Sequence, residues 1–362
     1  MGAELINLGA STKITLQKVF SKLVLVPGED TWFIASDCEN VTGEPGILRD
    51  RFAKIEGASR VFSAQALLSV YLPDRAAAAL AAYSTADLPD DMLVNQDGRP
   101  LTHLYSLLLA AKQSGAPVAR LVKHLALAGP LVYVIPILVL IAVRGLYILT
   151  QPAGRQSTAG QQPETSSFDS MFLIFSAGLI GIGAVIVLMY LYQTQFGSLY
   201  LHVGIISSLF MVGLTAGAAF VTSLVKRVSH PAWLLFAVIT GHAVILTAVG
   251  LWPSQQQTHT FFAATFILCG LAAGCYLPLA AKQLADSGLE TGRIGSKLET
   301  ADHIGATVGG LLTGLALVPV LGTKATLFVF ILLVLANVPL IAMSAYKRTI
   351  FDFRFWIFNW PG

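Results

Sequence analysis

The stretch MFLIFSAGLIGIGAVIVLMYLYQTQFGSLYLHVGIISSLFMVGLTAGAAF, Met171–Phe220, decides the fold. It is two apolar runs joined by the short polar turn Gln193–Ser198. About 20 helical residues cross a bilayer, and each run reaches that length, so the pair reads as a membrane hairpin. Outward from it lie further runs of the same kind. Apolar stretches at 125–150, 171–192, 199–225, 231–252, 261–281, 304–320 and 325–345 predict a bundle of about seven spans. The first contains Pro130, Pro136 and Arg144, which predicts a kinked or re-entrant segment, with Arg144, near its end, snorkelling rather than pairing with a carboxylate. The sixth is short and glycine-rich and is the weakest span of the set.

Composition agrees. The 362 residues are 55% hydrophobic and 12% charged, with mean hydropathy +0.69. Soluble domains carry about 25% charged residues. Charges crowd into residues 1–124, which predicts a soluble N-terminal domain ahead of the bundle. A polar linker is expected at 151–170, the bundle at 171–345, and a basic-aromatic tail suited to lipid headgroups at 346–362. The net charge of +3 gives no reason to expect nucleic acid as a partner. The first ten residues lack the basic and apolar regions of a secretory leader, and Ile6 stands where a myristoylation motif wants Ser or Thr.

Within residues 1–124 the pattern alternates. Helical spacing at 13–23 precedes strand-like runs at 24–28 and 31–37. A short amphipathic helix is expected at 47–55, an alanine-rich helix at 74–85 with Asp74 as its N-cap, a turn-rich loop at 88–100, and a last helix at 101–113. Strands alternating with helices predict an α/β unit.

Pairs Gly213/Gly217, Gly270/Gly274, Gly305/Gly309 and Gly310/Gly314 recur at four-residue spacing. Small residues so placed let helix backbones approach closely in lipid. Lys226, Arg227, Lys282, Arg293 and Lys297 fall on one side of an alternating bundle, whereas 193–198 and 253–260 hold no Lys or Arg. The basic side is expected in the cytoplasm. Arg120 and Lys123 favour the same side for residues 1–124 if the first stretch is re-entrant, and seven true spans favour the other.

Several segments together resemble the bacterial membrane-fused spermidine synthase-like proteins. In the bundle they are Phe175-Ser176, Gln193, Gly197–Tyr200, Leu209–Leu214 with Gly217-Ala218, Ala301-Asp302, Gly305-Ala306, Gly309-Gly310 and Val318–Gly322. In the soluble part they are VPGEDTWFIAS (26–36), LLSVYLPDR (67–75) and VNQDGRPLTHLY (94–105). The resemblance implies a truncated α/β Rossmann-like domain followed by a major-facilitator-like bundle in the bacterial inner membrane. It covers only the end of the synthase-like domain, and Ala184 stands where the family carries a carboxylate. A Rossmann enzyme holds its nucleotide-like cosubstrate on a glycine-rich turn after the first strand. Nothing before residue 31 supplies that turn, so no cofactor is expected and catalysis by this chain alone is not. The function expected is a non-catalytic accessory or anchoring subunit with a protein partner. Transport of a polyamine or other organic cation, and the membrane half of a split aminopropyltransferase, are the alternatives.

Six polar residues are candidates for function. Glu299, Asp302 and His303 stand at the mouth of the sixth stretch, where ionisable groups are costly and often functional. The plainer reading is a helix entrance capped by Thr300 or Asp302. His242 lies near the middle of the fourth run, as a proton relay, a haem ligand or a hydrogen-bonded structural histidine; His202 and His303 look terminal. Asp97 and Arg99, beside Asn95, form either a substrate-facing loop or a simple Asp97-Gly98 turn into the following helix. Asp90-Asp91 suits a polyamine or plain solvation. Cys38, Cys269 and Cys275 have neither disulfide nor metal spacing.

Overall fold

The computed structural model describes residues 2–28, 30–86, 88–89, 92–113, 115, 124, 131–150, 164–197, 202–227, 231–253, 256–286 and 288–338, without the side chains of 144, 147–150, 164–167 and 231. Asp90-Asp91, Arg120, Lys123, Pro130, the Arg144 side chain, residues 151–163 and the tail 346–362 lie outside that set. Packing divides the chain into two compact units, Met1–His124 and Leu125–Gly362.

The first unit opens with α1 (Ala3–Val19), which starts ten residues before the spacing predicted and ends where Phe20 turns extended. Strands β1 (Lys22–Val26) and β2 (Trp32–Ser36) follow. They pair antiparallel in the register Val24↔Ile34 and Leu25↔Phe33. Among the described residues this hairpin is the whole sheet, and it has no parallel pair. Side chains alternate across a strand, so Leu25 and Phe33 share one face while Val24, Val26, Trp32 and Ile34 share the other. The first face meets a core of Ala10, Leu25, Ala79, Tyr83 and Leu93, with Phe33 stacked on Tyr83 at 6.1 Å. Trp32 on the second face is 67% exposed.

Short helices α2 (Pro45–Phe52), α3 (Ala58–Val61) and α4 (Leu67–Val70) lead to α5 (Pro73–Tyr83). Pro73 opens α5 because a first-turn N–H has no intrahelical partner to lose. Its N-cap is Leu72, not Asp74, which sits in the first turn where a carboxylate favours the helix dipole. Helix α6 (Leu101–Gln113) buries Leu101, Leu104, Tyr105 and Leu108 on one face, and Lys112 pairs with Glu4 of α1 at 2.6 Å.

The second unit is helical: α7 (Leu131–Thr150), α8 (Glu164–Phe196), α9 (Val203–Val225), α10 (Pro231–Leu251), α11 (His259–Asp286), α12 (Thr291–Leu312), a π-helical extension Thr313–Leu321, and α13 (Thr323–Leu335). Among the described residues five helices are long and apolar enough to cross a bilayer, which makes the chain a multi-pass membrane protein. The apolar parts of α7 and α13, Leu131–Val143 and Thr323–Leu335, are shorter. The expected linker ends early, since Glu164–Ser170 already belongs to α8. The stretch expected to be the weakest span is part of the longest candidate, Thr291–Leu321 at 31 residues. The bundle wears its apolar side chains outward, with Trp233 74% and Leu251 79% exposed, as suits a hydrocarbon solvent.

Two seams hold the bundle. A methyl group on Gly213 would sit 2.1 Å from the Ile267 carbonyl oxygen, and one on Gly217 2.1 Å from that of Leu271. Reciprocally, Gly270 meets the Phe210 oxygen at 2.1 Å and Gly274 the Leu214 oxygen at 2.0 Å. Residue numbers rise together on both helices, so α9 and α11 run parallel. Gly305 and Gly309 of α12 seat in the same way on the carbonyls of Phe175 and Leu179, making α8 and α12 parallel. The fourth pair differs: Gly310 touches only the Ile182 side chain and Gly314 nothing within 4 Å. Parallel α9 and α11 bring Lys226, Arg227 and Lys282 to one end, where α12 begins with Arg293. Exposed Lys324, at the start of α13, stands at the other end as an exception.

Candidate functional site

Five polar side chains of the bundle, those of His242, Tyr276, Ser176, Asn337 and Asp302, gather at one depth, set by the register of α8. Ser170 bonds Gln283, Gly181 lies against Ala273, and Tyr192 bonds His259, so α8 and α11 are antiparallel and Tyr276 is level with Gly178. Tyr276 Oη hydrogen-bonds His242 Nδ1 at 3.1 Å, with both side chains buried. Ser176, two residues from Gly178, accepts a bond from Asn337 Nδ2 at 3.2 Å. Asp302 reaches the same level from α12, where a methyl group on Gly178 would sit 2.7 Å from its Oδ1. Gly178 is seven residues past Met171, about 10 Å into the apolar run at 1.5 Å per residue.

This placement corrects the entrance reading. Helix α12 begins at Thr291 behind Glu290, so neither Thr300 nor Asp302 caps it, and His303 is not terminal. Asp302 is half-buried against α8. Glu299 and His303 are one turn apart, 3.8 Å from each other and each 74% exposed, on the outer side of the same helix. A carboxylate at this depth is expensive to ionise and is a functional-site hypothesis by default.

His242 matches the hydrogen-bonded reading through Tyr276, although its Nε2 is buried without a partner among the described residues. Thr313 Oγ1, at the start of the π-helical turns, is in the same position. Such groups cost stability unless water or another polar group meets them. Ala184 is 1% exposed in the core of α8, where a carboxylate would have no water.

A second cluster, missed in the sequence, lies at the end without the basic pairs. Tyr192 Oη bonds His259 Nδ1 at 3.0 Å, Phe196 stacks on His259 at 3.9 Å, and the His202 ring lies 5.9 Å from that of His259. The signal lay in the two histidines opening α9 and α11, but only the fold brings them together. Among the described residues no three His, Cys, Asp or Glu side chains are grouped to hold a metal ion.

Asp97 and Arg99 serve the turn. Arg99 N donates to the Gln96 carbonyl at 2.8 Å and Gln96 N returns a bond at 3.2 Å, with exposed Asp97 and Gly98 between them. Asn95 Oδ1 accepts bonds from Thr102 N at 3.1 Å and Thr102 Oγ1 at 3.0 Å, which caps α6. Asn95→Ala is therefore expected to cost about 1 kcal/mol, read as a lower thermal midpoint of the first unit, with Gln96→Ala neutral. A cleft of about 180 Å3 lies between β1 and the start of α5, lined by Leu23, Leu25, Tyr71, Leu72, Ala76 and Leu80.

No family model matches the sequence, and neither a curated protein nor a solved structure matches it.

Proposed function

We propose that the protein is a membrane-anchoring subunit, with the helical bundle holding the N-terminal unit at the bilayer for a protein partner. The observation that carries this is the reciprocal seating of Gly213, Gly217, Gly270 and Gly274 on carbonyls of the facing helix. Such seams pack α9 firmly on α11 and suit a static scaffold, which needs close helix packing and no moving pathway. Among the described residues β1 pairs with no strand but β2, and its other edge gives the N-terminal unit backbone donors and acceptors to offer a partner chain. Relationship to the spermidine synthase-like proteins, a seven-span major-facilitator-like bundle and a bacterial inner-membrane location belong to the same proposal. An antiparallel edge is common on otherwise parallel sheets, and a hairpin apolar on both faces suits a sheet covered on both sides.

The second reading is transport of an organic cation such as a polyamine, favoured by Asp302 in the membrane segment beside Gly178. Proteoliposomes holding the full chain decide between them. The anchor reading expects no saturable uptake of putrescine or spermidine and no aminopropyl transfer from decarboxylated S-adenosylmethionine. It also expects a partner that co-purifies in fixed ratio in mild detergent. Saturable uptake that falls at least tenfold in Asp302→Asn overturns it in favour of transport. Aminopropyl transfer overturns the non-catalytic claim.

A further inference from the structure

We propose that residues 45–72 of the N-terminal unit form a contact surface for an anionic bilayer. This segment holds Arg49, Arg51, Lys54 and Arg60 against only Asp50 and Glu56. It also exposes large apolar side chains in close sequence: Val61 is 90% exposed and Ile55 59%, and Ile47, Phe62, Leu68 and Val70 are exposed as well. An apolar group of this kind in water marks an interaction surface. The T-shaped contact of Phe52 with Phe62, centroids 6.1 Å apart, closes residues 52–62 into one short loop. Lys54, Ile55, Arg60 and Val61 are thereby carried on a single small feature.

Charge chooses the occupant. Arg49 is paired with its neighbour Asp50, and Arg51 donates to the Asn40 carbonyl oxygen, whereas Lys54 and Arg60 make no ion pair among the described residues. Cations interleaved with exposed aliphatic and aromatic side chains match an anionic headgroup layer over acyl chains. The chain supplies such a surface within reach. Seventeen residues lie between Gln113, the end of α6, and Leu131, the start of the first apolar helix, and they span at most about 60 Å at full extension. A weak contact becomes effective under such tethering. The contact is independent of whether the bundle anchors or transports.

The full chain tests it, carrying Cys38→Ser and Val61→Cys with an environment-sensitive fluorophore at position 61. Cys269 and Cys275 are buried in α11 and leave one accessible thiol among the described residues. The protein is placed in liposomes of phosphatidylcholine alone or with phosphatidylglycerol. The expected result is a blue-shifted label quenched by nitroxide-bearing lipid in the anionic liposomes only, and released as salt rises. Lys54→Gln with Arg60→Gln, both exposed positions, weakens that partition about 25-fold, at about fivefold per cation. A label that stays open to aqueous iodide in both liposomes overturns the proposal. So does a label shielded from iodide and from nitroxide lipid alike, because protein then covers the surface.

Discussion

Replacing Gly274 by leucine is expected to separate α9 from α11 and to unfold the bundle at a lower temperature. The bound is geometric. Any β-carbon at 274 would lie 2.0 Å from the Leu214 carbonyl oxygen and 2.8 Å from its carbon. Those atoms are backbone, so no rotamer change relieves the clash and the helix axes must move apart. The same movement opens the contacts at Gly213, Gly217 and Gly270, since all four glycines share one seam. In lipid there is no hydrophobic force between helices to compensate, and the close packing is itself the attraction. Overpacking a well-filled interior costs about 1–3 kcal/mol, and loss of the seam puts Gly274→Leu at or above the upper end. Gly241 on α10 provides the control, with nothing within 4 Å of a β-carbon there. Thermal unfolding in nanodiscs should show a large drop for Gly274→Leu, a smaller one for Gly274→Ala and almost none for Gly241→Ala. Equal effects at the two positions would refute the seam.

Gly9→Leu should unfold the N-terminal unit. A β-carbon at Gly9 would stand 2.2 Å from the Tyr83 ring. Tyr83 is 4% exposed, stacks on Phe33 and lies among Ala10, Leu25 and Ala79. A larger residue at 9 therefore expels the ring from its buried cluster with Ala10, Leu25, Ala79 and Leu93. Losing a buried aromatic costs about 3–5 kcal/mol, a large part of the 5–15 kcal/mol that a folded domain has in hand. Limited trypsin digestion of the full chain should release fragments from the first 113 residues in Gly9→Leu, leaving the bundle intact. Gly2→Leu serves as the control, because a β-carbon there meets only the ends of Lys112 and Glu4 at 3.6 and 3.8 Å. Resistance of Gly9→Leu to trypsin would contradict the packing.

The elements of this fold differ in how readable they were. Helix α6 matches its expected bounds because Pro100 precedes it and Leu101, Leu104, Tyr105 and Leu108 form a plain apolar stripe. The start of α12 was not readable from apolar runs, since Thr291–Asp302 is polar and carries Arg293, Lys297 and Glu299. Hydropathy sees where a helix meets lipid and is blind to helix that continues beyond it. The same blindness hid the first turns of α8 ahead of Met171.

The sequence by itself determined that the chain crosses a membrane several times and that closely packed helices hold it together. Both follow from local properties, the length of apolar runs and the four-residue spacing of glycine. Only the tertiary structure decided which glycine pairs form seams and which, like Gly310 and Gly314, do not. It alone drew His242, Tyr276, Ser176, Asn337 and Asp302 to one level. The reason is that depth belongs to the register between helices. In Met171–Phe220, α8 carries the positions that meet α11, α12 and α13, and those contacts assign each distant polar residue its place.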